Sequence, residues 1–422
     1  MRALKLLLVL LVSTYATLTG LARAEASTTI NGGAINFDTT WDAAGSPYIL
    51  NGTVSIAAGV TLTIDAGVVV QGATAATELT INGNLDVNGT SGSPVNFRSS
   101  AGGGTAQWKG LHLTTTGTAN VANAIVRNTD IGLRIDSGTP ATALTVSGLT
   151  VDNFSNRAVD LGTISSGTFT LDGLSVTCGS TSQYGIVTTS GTVTVTNGRF
   201  VGCGYGIFSS YSNLNIDHTV FWSNARGLYI SNPSTYSSVV ATVTYSTFYG
   251  HNGTNGVSAI EIYRGYSSSY PLDLRISNSI FGENTALVRD SSPSGYAVSW
   301  SQFSQNVYWN SNFDHNTRFS SSSNLRYNAL FKDAANGDFT PTERSPARYW
   351  APATPSSTVG AIPYAGDSSG SGLHGFWYVN QTFTPGTTTD ASGDVVIANG
   401  AKLTFQPNTR IRFATTDSMS GG

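Results

Sequence analysis

One apolar residue returns at nearly constant spacing through the middle of this 422-residue chain, after a short alternating strand and before a polar turn. Val126, Val151, Val176, Phe200, Phe221, Phe248, Phe281 and Tyr308 take the position, at intervals of 25, 25, 24, 21, 27, 33 and 27 residues. Strands such as "LTVSGLTV", "FTLDGLSV", "VTVTNGRF", "LNIDHTVF" and "LRISNSIF" lead into the anchors. After the turn comes a second strand: "IGLRI", "RAVDL", "YGIVT", "YGIFS", "RGLYI" or "SAIEI". An antiparallel sandwich also spaces its strands, but it does not repeat a two-strand unit in the same order of features. A solenoid does. Each coil of about 25 residues then reads as one rung of a parallel β-helix, stacked on its neighbours at ~4.8 Å because it cannot bury its apolar face alone. Asn128, Asn153, Asn224, Asn284 and Asn310 follow the anchors by two or three residues. They read as stacked turn residues that hydrogen-bond along the axis, with ligand contacts as the alternative.

Composition agrees with strands and turns. Only 11% of residues are charged, against roughly 25% in ordinary domains, and Gly, Ser, Thr and Asn fill the places that helices give to Lys and Glu. A net charge of −3 leaves no basic footprint, so nucleic acid is not an expected partner. Arg2 and Lys5, the apolar run 6–12 and Ala22-Arg23-Ala24 have the order of a cleavable secretory signal, residues 1–24, with a buried N-terminal helix as the alternative. No later segment approaches the ~18 apolar residues of a membrane span. A secreted, extracellular or cell-surface monomer is expected. The two cysteines, Cys178 and Cys203, stand one rung apart. Export and rung spacing allow a disulfide, and two thiols in the apolar stack are the alternative.

Residues 54–73, "VSIAAGVTLTIDAGVVVQGA", return at 395–414 as "VVIANGAKLTFQPNTRIRFA". Adding 341 carries Ile56 to Ile397, Gly59 to Gly400, Leu62 to Leu403, Ile64 to Phe405, Ala66 to Pro407 and Val70 to Ile411. The expected organisation is a signal peptide at 1–24, a β-helix domain at 25–365, a Gly/Ser linker at 366–376 and incomplete entry rungs of a second β-helix module at 377–422. The chain reads as a fragment of a longer tandem protein, or else the last rung folds back as a cap.

Two pieces outside the ladder carry a family resemblance. "TLTIDAGVVVQG" with "ELTINGNLDVNGTSGSPVNFRSS" is similar to the entry rungs of secreted bacterial β-helix proteins. "LFKDAANGDFTPTERSPARYWAP", residues 330–352, resembles the segment that closes such domains, with Asp338-Phe339 and Ser345-Pro346-Ala347 in place. Over about residues 50–365 the chain resembles the right-handed parallel β-helix proteins of the pectate-lyase-like superfamily. The resemblance implies an all-β, right-handed parallel β-helix solenoid, with the start of a second module at the C-terminus. It does not imply one activity, since the superfamily holds lyases, hydrolases, adhesins and phage tailspikes.

Asn128-Thr129-Asp130 matches the Asn-Thr-Asp of polygalacturonases, but their paired aspartates, Gly-His-Gly and Arg-Ile-Lys do not follow. "GHN" at 250–252 and "LHG" at 373–375 are no substitutes. Pectate lyases need several carboxylates for Ca²⁺ and an Arg or Lys base. No three aspartates share one face, and Lys109, Lys332 and Lys402 are the only lysines after the leader. The five histidines lack metal-ligand spacing, and neither Gly-x-Ser-x-Gly nor a phosphate loop is present. No cofactor or metal is expected, with Ca²⁺ entering only in the lyase reading.

Binding chemistry has a better place. Aligning the second strands puts Arg134, Asp160, Val187, Phe208, Tyr229, Glu261 and Val288 in one outward column, and Asp136, Tyr263 and Asp290 in the next. Phe208 and Tyr229 on adjacent rungs offer faces for sugar rings, while Asp160, Glu261 and Arg134 can bond hydroxyls; a loop covering the rings is the alternative. Tyr263 extends the same patch. For catalysis, Asp172 and Asp217 share an outward column two rungs apart, roughly 10 Å, with His218 beside the second, and this only touches the inverting-glycosidase range. Three readings stand: a scaffold that binds polysaccharide or a cell-surface glycan, a polysaccharide lyase or glycoside hydrolase, and a structural spacer.

Overall fold

A computed structural model describes residues 27–164, 166–232, 238–252, 258–265, 271–293, 299–313, 324–342, 345–348, 358–363, 373–377, 380–397 and 401–413. The leader at 1–24 and most of the stretch read as linker, 366–372, lie outside them. From Thr28–Ile35 to Asn312–Phe313 the strands form one 31-stranded sheet, in which the strand pairs are all parallel. No α-helix occurs among the described residues.

A middle rung shows the construction. Thr168–Asp172 belongs to a first sheet, Ser175–Thr177 to the anchor sheet and Tyr184–Thr189 to a third sheet. The anchors stack in register from Val126 through Val151, Val176, Phe200, Phe221, Phe248 and Phe281 to Tyr308. The column also extends upstream to Phe97 and Val70. Phe200, Phe221, Phe248 and Phe281 lie face to face, with centroids 5.2, 4.6 and 4.9 Å apart, all fully buried. Each stacked pair adds about 0.5–1.5 kcal/mol beyond the burial of its area.

The glycines of the "YGI" and "RGL" strands make room for this stack. A Cβ on Gly206 or Gly227 would meet the ring of Phe221 or Phe248 at 2.9 Å and a neighbouring carbonyl at 2.5 Å.

The turn after the anchors separates the asparagines into two kinds. Asn128, Asn153 and Asn310 hold a left-handed corner, with φ of 63°, 50° and 42°. Asn224 and Asn284 sit one residue further on, buried in a ladder along the axis. Cys203 N donates to Asn224 Oδ1 at 2.8 Å, and Asn224 Nδ2 donates to Phe200 O at 3.0 Å. One rung on, His251 takes the ladder position. Its backbone N and its Nδ1 reach Asn284 Oδ1 at 3.2 and 2.8 Å. Cys178 and Cys203 form a disulfide between neighbouring rungs, with Cα atoms 4.9 Å apart.

The segment that resembles a domain closure lies along the outer face of the anchor sheet. Phe331–Asp333 and Asp338–Pro341 pair as an antiparallel hairpin. Its Phe339 is buried against Trp222, Tyr249 and Phe331. Gly337 turns at φ 83°, where a Cβ would strike Arg199 Nη2 at 2.5 Å, and its carbonyl accepts from that guanidinium at 3.3 Å. Ala347 is buried, and Ala361 N donates to Thr247 Oγ1 at 3.0 Å.

Residues 373–413 form two small parallel sheets of their own. Thr389 pairs with Ile411 as Tyr48 pairs with Val70, and Phe383 with Phe405 as Trp41 with Ile64. The repeat therefore extends upstream of residues 54–73 and 395–414, with the offset growing by one residue between Trp41 and Phe383, and it shares pairing as well as sequence. Its first strand, Leu373–Trp377, overlaps the last four residues, 373–376, of the stretch read as linker. Gly and Ser content marked the linker, and a strand of "LHGFW" within it gave no period to read.

Two outcomes are expected. Replacing Cys178 and Cys203 by serine should lower unfolding free energy by roughly 3 kcal/mol, as measured by urea denaturation of both forms. An unchanged midpoint would show that the bridge adds nothing. Burial holds the fully enclosed His251 down at about 4. Above pH 6.5 folded and unfolded states are both neutral there; as pH falls from 6.5 towards 4, only the unfolded chain takes up the proton, so stability drops. Comparing urea midpoints of wild type and His251→Asn at pH 7.5 and 4.5 should show an extra acid loss in wild type of roughly 2–3 kcal/mol. Equal losses would refute it.

Candidate functional site: the outer face of the third sheet

The third sheet keeps its outward column over many rungs. Thr80, His112, Arg134, Asp160, Val187, Phe208, Tyr229 and Glu261 are successive register partners. The column ends on Arg289, not Val288. Val288 pairs with Ile260 and is buried, and Asp290 falls opposite Ile262 instead of Tyr263. A one-residue slip turns every side chain to the other face, and the expected alignment slipped there.

Three positions upstream runs a second outward column, Arg157, Tyr184, Tyr205 and Arg226. Phe208 and Tyr229 stack at 4.9 Å, Tyr184 and Tyr205 at 5.0 Å, and the two pairs meet edge to face at 5.4–5.8 Å. The rings expected to be exposed are therefore half-buried, because the tyrosines beside them cover their edges. The Arg226 guanidinium lies 5.0 Å from the Tyr205 ring centre and pairs with Glu261, which is buried to 6% exposure. Burial pushes the Tyr229 hydroxyl up to about 12, and that of Tyr205 up as well. Tyr263 lies half-buried opposite Ser231.

At the other end of the strip a charged cluster replaces the rings. His112 stands between two carboxylates, with Nε2 2.8 Å from Asp136 Oδ1 and Nδ1 3.4 Å from Glu78 Oε2. Arg134 Nη2 lies 3.4 Å from Glu78 Oε1 and 2.8 Å from the His112 ring. The hydrogen bond to Glu78 raises His112, partial burial opposes it, and Asp136 adds to the rise. Burial pushes Glu78 up, but the His112 bond and the Arg134 and Lys109 charges outweigh it and hold it below the usual range. Asp160 is paired with Arg157.

The sequence reading missed Glu78, His112, Tyr184, Tyr205 and Arg226. The tyrosines and Arg226 precede the glycines of "YGI" and "RGL", a position whose outward direction depends on both following residues being buried. Glu78 and His112 belong to rungs 34 residues apart, longer than the ladder period.

Asp172 and Asp217 lie elsewhere, on the outer face of the first sheet, two rungs apart with Thr196 between them. Asp172 accepts from Thr196 Oγ1 and Asn197 Nδ2, and Asp217 from Thr244 Oγ1. His218 contacts Asp217 at 2.7 Å, but it is also a left-handed corner residue at φ 46° stacked on Tyr245. These three are not brought to the aromatic strip. Asn128 likewise serves the turn, and Asp130 accepts from Ser155. The strip's carboxylates already face Arg or His, which fits an ion-pair network and not the six to eight oxygens of a Ca²⁺ cage. Among the described residues no three or more His, Cys, Asp or Glu converge as metal ligands, and no helix is long and apolar enough to cross a membrane.

A family model for a pectate-lyase like beta helix domain matches residues 33–163. No curated protein matches the chain. The matched segment includes the entry rungs, Glu78, His112 and Arg134, and the same parallel coil runs on to Phe313. The chain is thus a parallel β-helix protein with the pectate-lyase-like fold.

Proposed function

We propose that this is an exported, extracellular or cell-surface β-helix protein that binds an extended polysaccharide along the outer face of its third sheet, as a monomer. The observation that carries the reading is the ring quartet Tyr184, Tyr205, Phe208 and Tyr229 on one face, with ion-paired Arg226–Glu261 beyond it and Arg157–Asp160 before it. Seven rung steps from Glu78 to Glu261 give a strip of ~34 Å. Stacked rings offer apolar faces to sugar rings, and the flanking charged groups offer charge-assisted hydrogen bonds to hydroxyls.

His112 between Glu78 and Asp136 supports a second reading, a glycoside hydrolase or polysaccharide lyase. A raised imidazole held between two carboxylates can donate a proton to a leaving oxygen and take one back from water.

Leucine keeps the apolar cover of the strip and removes the stacking face. The double variant Phe208→Leu, Tyr229→Leu should retain its far-ultraviolet circular dichroism and lose roughly ten-fold or more in affinity for the polysaccharides that the wild type binds on a glycan array. A folded double variant with unchanged binding would move the spacer reading ahead. For the second reading, the His112 ring signals in NMR should titrate above the ordinary 6.5, and Glu78→Gln should bring the midpoint down. An unshifted midpoint, or reducing ends released equally fast by His112→Gln, would remove the proton-transfer role.

A further inference from the structure

The outer face of the anchor sheet has two halves. Trp222 and Tyr249 lie under the hairpin of residues 331–341. The other half holds Gln71, Arg98, Arg127 and Asp152 on successive rungs and opens as a cleft of about 410 Å³. Arg98 follows Phe97 and Arg127 follows Val126, and Phe97 and Val126 are register partners. Two guanidinium-bearing residues therefore face each other across one rung step, an arrangement that costs stability unless something neutralises it. Asp152 neutralises one of them, taking Arg127 Nη2 at 2.9 Å. Among the described residues the Arg98 side chain has no ion pair or hydrogen bond, and Arg127 Nε has no acceptor.

The wall of the cleft is a glycine-rich loop, "SAGGGT" at 100–105. Gly102 and Gly103 line the cleft, and their amides donate to no acceptor among the described residues. The loop is fixed in place, because Asn128 Nδ2 and Asn153 Nδ2 both donate to Gly104 O, at 2.8 and 3.0 Å. A side chain on Gly102, at φ 87°, would be strained.

We propose that this cleft is a binding site for a tetrahedral oxyanion, a sulfate or phosphate monoester group. A planar carboxylate has two oxygens and is saturated by one guanidinium fork. A tetrahedral monoester has three free oxygens, enough to bridge Arg98 and Arg127 and still accept from the loop amides. Asp152 competes with the ligand for Arg127. The site lies on a different sheet from the aromatic strip and shares no residue with it.

The test is calorimetric titration of the full chain with sodium sulfate, sodium phosphate and sodium acetate at constant ionic strength, with the shift in Tm as a second readout. Sulfate or phosphate should bind saturably at one site, and acetate at least roughly ten-fold more weakly. Arg98→Gln changes an exposed side chain and should weaken binding roughly ten-fold. Asp152→Asn should tighten it several-fold, the opposite direction, which general loss of structure cannot mimic. Sugar sulfate and sugar phosphate monoesters, titrated in parallel, identify which ester is preferred. Absence of saturable binding, equal binding by Arg98→Gln, or acetate binding as tightly as sulfate would each overturn the proposal.

Discussion

The parallel hydrogen-bond ladder between rungs governs the rest of this molecule. Once strands pair in parallel register at ~4.8 Å, each side chain lies over its counterpart one coil earlier, so the chain must suit columns more than pairs. Inside, the columns are Phe on Phe and Asn under a backbone amide; at the corners they are left-handed residues such as Asn153 and His218. Outside, the same rule lines up Tyr184 with Tyr205, Phe208 with Tyr229 and Arg98 beside Arg127. Function on such a scaffold is written in strips.

How much of this was legible follows from the same rule. The anchors were readable because one large apolar residue per coil before a polar turn survives changes in loop length, and all eight from Val126 to Tyr308 are register partners. The outward column was readable from Arg134 to Glu261, where the strand motifs keep a glycine or alanine as a marker. It failed at Val288, which follows Ala286 by the same two residues although the register places Arg289 opposite Glu261, so a slip of one exchanges a core residue for an outward one. Ring burial was not legible either. The edge-to-face contacts of Tyr184 and Tyr205 depend on two successive buried residues that shift the strand's alternation, which a period-two reading cannot contain. His112 escaped for a different reason: its partners Glu78 and Asp136 lie 34 residues before it and 24 after.

The two outer faces differ in how they treat charge. On the third sheet each carboxylate named in the strip has a cationic neighbour, and Arg226 lies against a ring as well. Such a face has its charges satisfied within the strip. On the anchor sheet the ion pair Arg127–Asp152 leaves one guanidinium over. The hairpin of residues 331–341 covers the aromatic rungs and Arg199 and leaves Arg98 and Arg127 on the open half of that sheet.

That hairpin also changes what kind of solid the coil is. A solenoid tied only to its nearest neighbours frays from its ends, one repeat at a time. Here Arg199 grips Gly337 across 138 residues and Thr247 grips Ala361 across 114. Phe339 meanwhile bears on Trp222 and Tyr249 from two different coils. The clasp ties together coils that the ladder alone would let part in sequence. The distal half of the rod must open as one block, so its resistance to fraying depends on a short irregular segment lying outside the repeat.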